Sequence, residues 1–167
     1  EGKRPAVAEG THVDESALLI GDVILHKDVS VWPCALLRAD DDSIEVGEGS
    51  AIMDMAFVEA PKGRPVRIGR NCLISHCARL HGCVIDEEVL VGVGATVLDG
   101  ARIGKGSIVA AGCLVPPGKD VEAGTVIAGV PAAVHRPAGP ADAEQVRREL
   151  QTVKDKARRY AAARKLR

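Results

Sequence analysis

A chain of 167 residues fits one domain with an appendage and leaves no room for a second catalytic domain. Its 22 basic and 23 acidic residues nearly cancel to a formal net charge of -1, which gives no field favouring nucleic acid, and an aromatic content of 2% gives no base-stacking platform. Five cysteines, Cys34, Cys72, Cys77, Cys83 and Cys113, are odd in number and contain no CxxC pair, which argues against a disulfide framework or a zinc ribbon. No apolar run approaches the roughly 18 residues that span a bilayer, and no signal-like stretch opens the chain. A soluble, cytoplasmic protein with reduced thiols is therefore expected.

Trp32, Phe57 and Tyr160 are the whole aromatic inventory, so the core must be built from small aliphatics. In steps of six, branched aliphatics recur at Val13, Leu19, Leu25, Val31 and Leu37. After an insertion at 39–43 the step resumes with Val46, Ile52 and Val58, and after a second at 60–65 with Ile68, Ile74 and Leu80. One shorter step leads to Ile85, Val91, Val97, Ile103, Val109, Val115, Val121 and Ile127. Two residues before the anchors, small side chains such as Ala35, Ala56, Cys72, Ala78 and Ala95 share the same strand face.

This is the signature of an all-β fold, a parallel β-helix of hexapeptide repeats in which three hexads close one triangular coil. Anchors stacked at the strand spacing of roughly 4.8 Å fill a prism too narrow for rings, which accounts for the aromatic poverty. Both insertions are expected to project as loops. The predicted β-helix domain covers residues 11–136 and a linker covers 137–141. A C-terminal α-helix is expected over 142–167, capped by Asp142, with an apolar stripe of Val146, Leu150, Val153, Ala157 and Tyr160. It would pack along the prism or against a neighbour.

Residues three hexads apart stack on one face. Leu37, Val58 and Leu80 form one column, and their outward neighbours Arg38, Glu59 and His81 form a second. By the same count Asp54 lies beneath His76. His76 and His81 belong to consecutive hexads on different faces, where outward side chains diverge, so one chain can hardly close both around an ion. If three prisms pack side by side, Glu59 and His81 of one meet His76 of the next and supply three metal ligands with an open position. A lone outward His or Glu is ordinarily solvated surface; the histidine pair in register with Arg38, Asp40 and Asp54 is more specific. Arg38 and Asp40 read best as an inter-subunit ion pair. Cys77, beside His76, reads as a packed thiol rather than a nucleophile.

From Gly21 to Arg136 the chain resembles the γ-class carbonic anhydrases. The resemblance is carried by Val31-Trp32-Pro33 leading to Leu37-Arg38-Ala39-Asp40, by Ile52-Met53-Asp54, by Ser75-His76-Cys77-Ala78-Arg79-Leu80-His81-Gly82-Cys83, and by Leu98-Asp99-Gly100 and Gly129-Val130-Pro131-Ala132. It implies a left-handed β-helix, a homotrimer, and a divalent metal held by three histidines across the subunit interface, where carbon dioxide is hydrated to bicarbonate. His76 and His81 match two of those histidines, while Glu59 stands at the third position and Met53 where a glutamine usually assists. Asp41 matches an acid that shuttles protons in some members. Asp54 belongs to the same matching text as Met53 and is read, with Arg38 and Asp40, as a structural or interface residue.

Glu59 can bind a divalent ion through oxygen, zinc first and iron or cobalt as alternatives, but its charge makes bound water less acidic. The thioether of Met53 is a weak acceptor. Hydration of carbon dioxide is therefore expected to be weak or lost. Two other classes share the fold: a metal-free scaffold or complex subunit, and a hexapeptide acyltransferase acting on acyl-CoA.

Overall fold

Short runs of alternating aliphatic and polar residues, each ending in a turn residue, form mostly strands of two or three residues, with Leu18–Leu25 and Leu36–Val46 as the long exceptions. The computed structural model describes residues 3–164. Its strands coil into a three-faced prism with parallel pairing from coil to coil. The first face stacks His12–Val13, Ser30–Val31, Ala51–Ile52, Leu73–Ile74, Leu90–Val91, Ile108–Val109 and Thr125–Ala128 in that order. The second carries Phe57–Glu59, Arg79–His81, Thr96–Val97 and Leu114–Val115, and the third Val66–Ile68, Val84–Ile85, Arg102–Ile103 and Asp120–Val121.

The anchors point inward. Leu37, Ile52, Val58, Ile74, Leu80, Ile85 and Ile103 are fully buried in a single cluster of aliphatics, alanines and cysteines that contains no aromatic ring. Each such side chain contributes on the order of 1.5–3 kcal/mol by leaving water, which is how a core without rings holds. Register follows the repeat: Leu37 faces Val58 and Val58 faces Leu80, while Ile52 faces Ile74.

The first insertion does not project as a loop. Leu36–Val46 is one continuous strand that rounds the corner from the second face to the third, pairing with Phe57–Glu59 at its start and Val66–Ile68 at its end. The surplus residues form a bulge opposite the junction of Gly21 and Asp22 on Leu18–Leu25. Gly21 has φ 77° there, and a Cβ on it would sit 2.1 Å from the Ala39 carbonyl oxygen. A polar composition signalled a loop; Asp40, Asp41 and Asp42 fall in the bulge, while Ala39 and Ser43 on either side keep their pairing with the neighbouring strand. The second insertion, 60–65, does turn outside the strands, closed by Arg64 N–H donating to the Pro61 carbonyl at 2.9 Å.

Beyond the last coil, Ala133–Pro137 folds back antiparallel on Thr125–Ala128 and closes that end of the first face. The helix begins at Pro140, inside the stretch assigned to a linker, and runs to Arg164; the expected continuation over 165–167 lies outside the described residues. Asp142 does not cap it from outside. It sits in the first turn and accepts the Gly139 N–H at 2.7 Å, so that Gly139 is the boundary residue and proline takes the first helical position, where its missing N–H costs nothing. Val146, Leu150, Val153 and Ala157 are buried, and the last three join a second apolar cluster with Trp32, Ala51, Met53 and Leu73 of the first face. Tyr160 completes the contact, its ring 5.4 Å from Trp32 and 6.2 Å from His12.

Candidate metal centre

The second face ends outward in a ladder. Arg38 pairs with Glu59 and Glu59 with His81 in consecutive coils, each one strand spacing from the next. The Glu59 carboxylate accepts a hydrogen bond from the Arg38 guanidinium through one oxygen, and its other oxygen lies 3.6 Å from His81 Nε2. Glu59 is the most enclosed of the three, its side chain 16% exposed. Arg38 also reaches Asp40, Nε to Oδ1 at 3.5 Å, within the same chain. The hydrogen bond from Arg38 to Glu59, then the carboxylate charges of Glu59, Asp40 and Asp41, hold the guanidinium above its ordinary pKa. Asp41 is exposed on the bulge and sits close enough to Arg38 to act on it only through its charge.

The other half of the expected constellation is set apart. Asp54 and His76 occupy the turn joining the first face to the second, stacked in successive coils, with Cys77 N–H donating to the Asp54 carbonyl at 3.0 Å. His76 Nδ1 is 3.0 Å from Asp54 Oδ2, and its ring is half exposed. His76 and His81 thus stand at opposite ends of the second face. Among the described residues no three His, Cys, Asp or Glu side chains of one chain converge on a point that could hold a metal. Met53 is buried against the helix and, with Asp54, His76, Glu149, Val153 and Tyr160, lines a cleft of about 500 Å³ between helix and prism.

Spacing alone missed Asp99. Its carboxylate Oδ1 lies 2.9 Å from His81 Nδ1, but the shorter step after Leu80 pairs Leu80 with Val97, so the column count sets Leu98 rather than Asp99 beside His81 and the contact is made across the corner. His12 was also passed over; it is buried beside Trp32, ring centroids 5.6 Å apart, and nothing in the hexad count marks it. The cysteines are unpaired with one another. Burial pushes the Cys72 and Cys83 thiols up to about 12, so both are inert protonated core residues, while Cys77 is half-buried in the turn after His76.

The donor set is chemically compatible with a divalent ion. Two ligand atoms at about 2.0–2.2 Å from a tetrahedral zinc are about 3.4 Å apart, close to the observed separation of Glu59 Oε2 and His81 Nε2. The half-exposed His76 imidazole at the opposite end of that face is free to reach a neighbouring molecule.

No family model matches the chain. "Probable carbonic anhydrase" of the archaeon Methanocaldococcus jannaschii is 37% identical over 154 residues, covering 92% of this chain and 92% of that protein. "Gamma carbonic anhydrase 1, mitochondrial" of Arabidopsis thaliana is 35% identical over 136 residues, 78% of this chain but 50% of the plant protein, so the chain spans about half the length of that relative. A crystal structure of a hexapeptide transferase family protein from Anaplasma phagocytophilum superposes with a TM-score of 0.89 at 34% identity, covering 93% of this chain and 92% of that one.

Proposed function

Because this chain belongs to the γ-class carbonic anhydrase family, we propose that it is a homotrimer with a divalent-metal site shared between subunits and with carbon dioxide hydration weak or lost. The observation that carries this reading is the in-register ladder of Arg38, Glu59 and His81, with a carboxylate oxygen and an imidazole nitrogen 3.6 Å apart and a half-exposed His76 at the opposite end of the same face. Glu59 and His81 of one subunit and His76 of a neighbour would hold the ion, zinc first, iron or cobalt otherwise. When bound, such an ion supplies Lewis acidity toward water and a carbonyl-type substrate such as carbon dioxide or bicarbonate.

The chain's own residues explain why that chemistry is muted. Glu59 brings a negative charge to a position where the family has a neutral imidazole, and Arg38 offsets it only from one side. Met53 is packed among Leu150, Val153 and Ala157, so its thioether presents no amide to orient a nucleophilic water. Asp41, exposed beside the ladder, is the carboxylate placed to take a proton to bulk solvent. Asp54 holds the His76 ring by its Nδ1 edge. A compartment is proposed from the thiols alone: three buried and none paired fits a reducing cytoplasm.

An outward apolar row supports assembly. Leu18, Leu36 and Phe57 stack on the second face beside the ladder, and Thr96 and Leu114 extend the row beyond Arg79. Leu18 is 54% exposed and Phe57 half-buried in the single chain, a row that a second prism would cover. Elemental analysis of purified protein, with stopped-flow assay of carbon dioxide hydration, tests the reading. It predicts up to one zinc, iron or cobalt per subunit and turnover near background; protein without metal after reconstitution would leave the scaffold reading. The likeness to a hexapeptide transferase favours a second reading, an acyltransferase, and titration calorimetry with acetyl-CoA separates the two.

A further inference from the structure

Gly82 follows His81 directly and has φ 53°, and the space its Cβ would fill is taken: Asp99 Oδ1 would be 2.5 Å away and Arg64 Cβ 2.9 Å away. Only a residue without a side chain lets the Asp99 carboxylate lean across this corner to the His81 ring. One coil on, Gly100 has φ 68°, and a Cβ there would lie 2.8 Å from Arg64 Nη1. The corner is stitched by Gly82 N–H to the Glu59 carbonyl at 3.0 Å and Gly100 N–H to the Gly82 carbonyl at 2.7 Å. Arg64, delivered by the second insertion, therefore lies across two successive glycines and covers the notch in which Asp99 sits. The side chains of Asp99 and Arg64 stand outside the core in which the anchors Leu80, Cys83, Val97 and Ala101 are buried.

Neutral imidazole carries one proton on either nitrogen, and the partner of one nitrogen decides the state of the other. A carboxylate can only accept, and Asp99 at 2.9 Å is within hydrogen-bond reach of Nδ1 whereas Glu59 Oε2 at 3.6 Å is too far to hold a proton on Nε2, so the proton sits on Nδ1 and Nε2 is left as the unprotonated atom. We propose that Asp99, seated by Gly82 and covered by Arg64, is the positioning residue that fixes the tautomer and ring plane of His81 for a divalent cation. This rests on the reading of His81 as a metal ligand, so its test has one arm without metal.

In metal-free protein labelled with 15N-histidine, long-range 1H–15N spectra at pH 8.5 should show His81 in the Nδ1–H form. Asp99→Ala should convert it to the Nε2–H form or a mixture, and Asp99→Asn, whose amide NH2 can donate to Nδ1, should shift it the same way. In the metal arm, zinc affinity measured by chelator competition should fall at least about tenfold in Asp99→Ala and in Asp99→Asn, with thermal midpoints checked for each variant. Arg64→Ala, which leaves the coil intact, should give an intermediate loss. An unchanged tautomer in Asp99→Ala overturns the proposal, as does a changed tautomer with unchanged zinc affinity. Wild-type protein that binds no zinc overturns the metal reading instead, and the metal-free spectra alone then decide whether Asp99 sets the ring.

Discussion

Glu59 is held by the Arg38 guanidinium on one coil, with the His81 ring 3.6 Å from its other oxygen on the next. A histidine in its place would release Arg38 and give the site a neutral donor. We expect wild-type protein to hydrate carbon dioxide poorly or undetectably at neutral pH, even loaded with zinc, iron or cobalt. Glu59→His with Met53→Gln should raise the rate at least roughly tenfold, which needs only about 1.4 kcal/mol of barrier lowering. The second change has a cost visible in the packing: an amide placed among Leu150, Val153 and Ala157 loses about 1–3 kcal/mol unless it finds a partner. Stopped-flow rates are therefore compared at matched metal occupancy; brisk wild-type turnover, or a loaded double mutant with no gain, would mean that other groups limit the site. Gly21 tests the backbone at the same scale. A Cβ 2.1 Å from the Ala39 oxygen cannot be accommodated by side-chain motion, so Gly21→Ala should destabilise the protein by roughly 2 kcal/mol or more, read as a lower urea midpoint.

Strands and helix differ in how far their positions could be read from spacing. The hexads specify inward anchors and coil register because every sixth residue must fill the same narrow prism, so the ladder Arg38, Glu59, His81 follows from counting. What counting misses depends on geometry at corners: the bulge that keeps Leu36–Val46 paired, and the glycine notch that brings Asp99 to His81. The helix stripe was legible by its period, but its start was not, since Asp142 acts from inside the first turn. Arg136 grips that carboxylate through two contacts of 2.7 and 2.8 Å, and the hydrogen bond from Arg136, then that from Gly139 N–H, holds the Asp142 pKa below the usual carboxylate range. A depressed carboxylate pKa stabilises the fold above its unfolded value and is lost as pH falls through the folded one. Asp142→Asn should lower the melting temperature at pH 7, and the gap from wild type should close as both are acidified below about pH 4; a gap that persists under acid would assign the loss to packing. Deleting the chain after Pro140 uncovers Trp32, Met53 and Leu73, so the truncated protein should bind a hydrophobic dye and melt earlier, yet still scatter light as a trimer. A monomer would mean that the helix, and not the prism, carries assembly.

At the scale of the whole molecule, the site and the assembly make one claim. His76 leaves the prism at the turn before the second face and His81 at the end of that face, so the two imidazoles point apart, and the ring of each is anchored at Nδ1 by a carboxylate of its own chain, Asp54 or Asp99. Turning either ring inward would break that contact, whereas in the proposed trimer a neighbouring prism on the row of Leu18, Leu36 and Phe57 would bring a second face alongside the ladder. Phe57→Glu should then weaken assembly, because a carboxylate in the middle of a buried apolar row is left unpaired. The sharper test uses complementation. Homotrimers of His76→Ala lack one ligand at every site, and homotrimers of His81→Ala lack another. In a mixed trimer, an interface that takes Glu59 and His81 from the His76→Ala subunit and His76 from the His81→Ala subunit is intact. Around a ring of three subunits with both kinds present, one interface has that order and the others do not, so mixing equal amounts should restore zinc binding to roughly one site per mixed trimer. Subunit exchange is verified by mass spectrometry of a tagged partner, and zinc is counted after removal of loosely held ion. Mixed trimers with no more zinc than either parent would place all the ligands in one chain, or place the ion elsewhere.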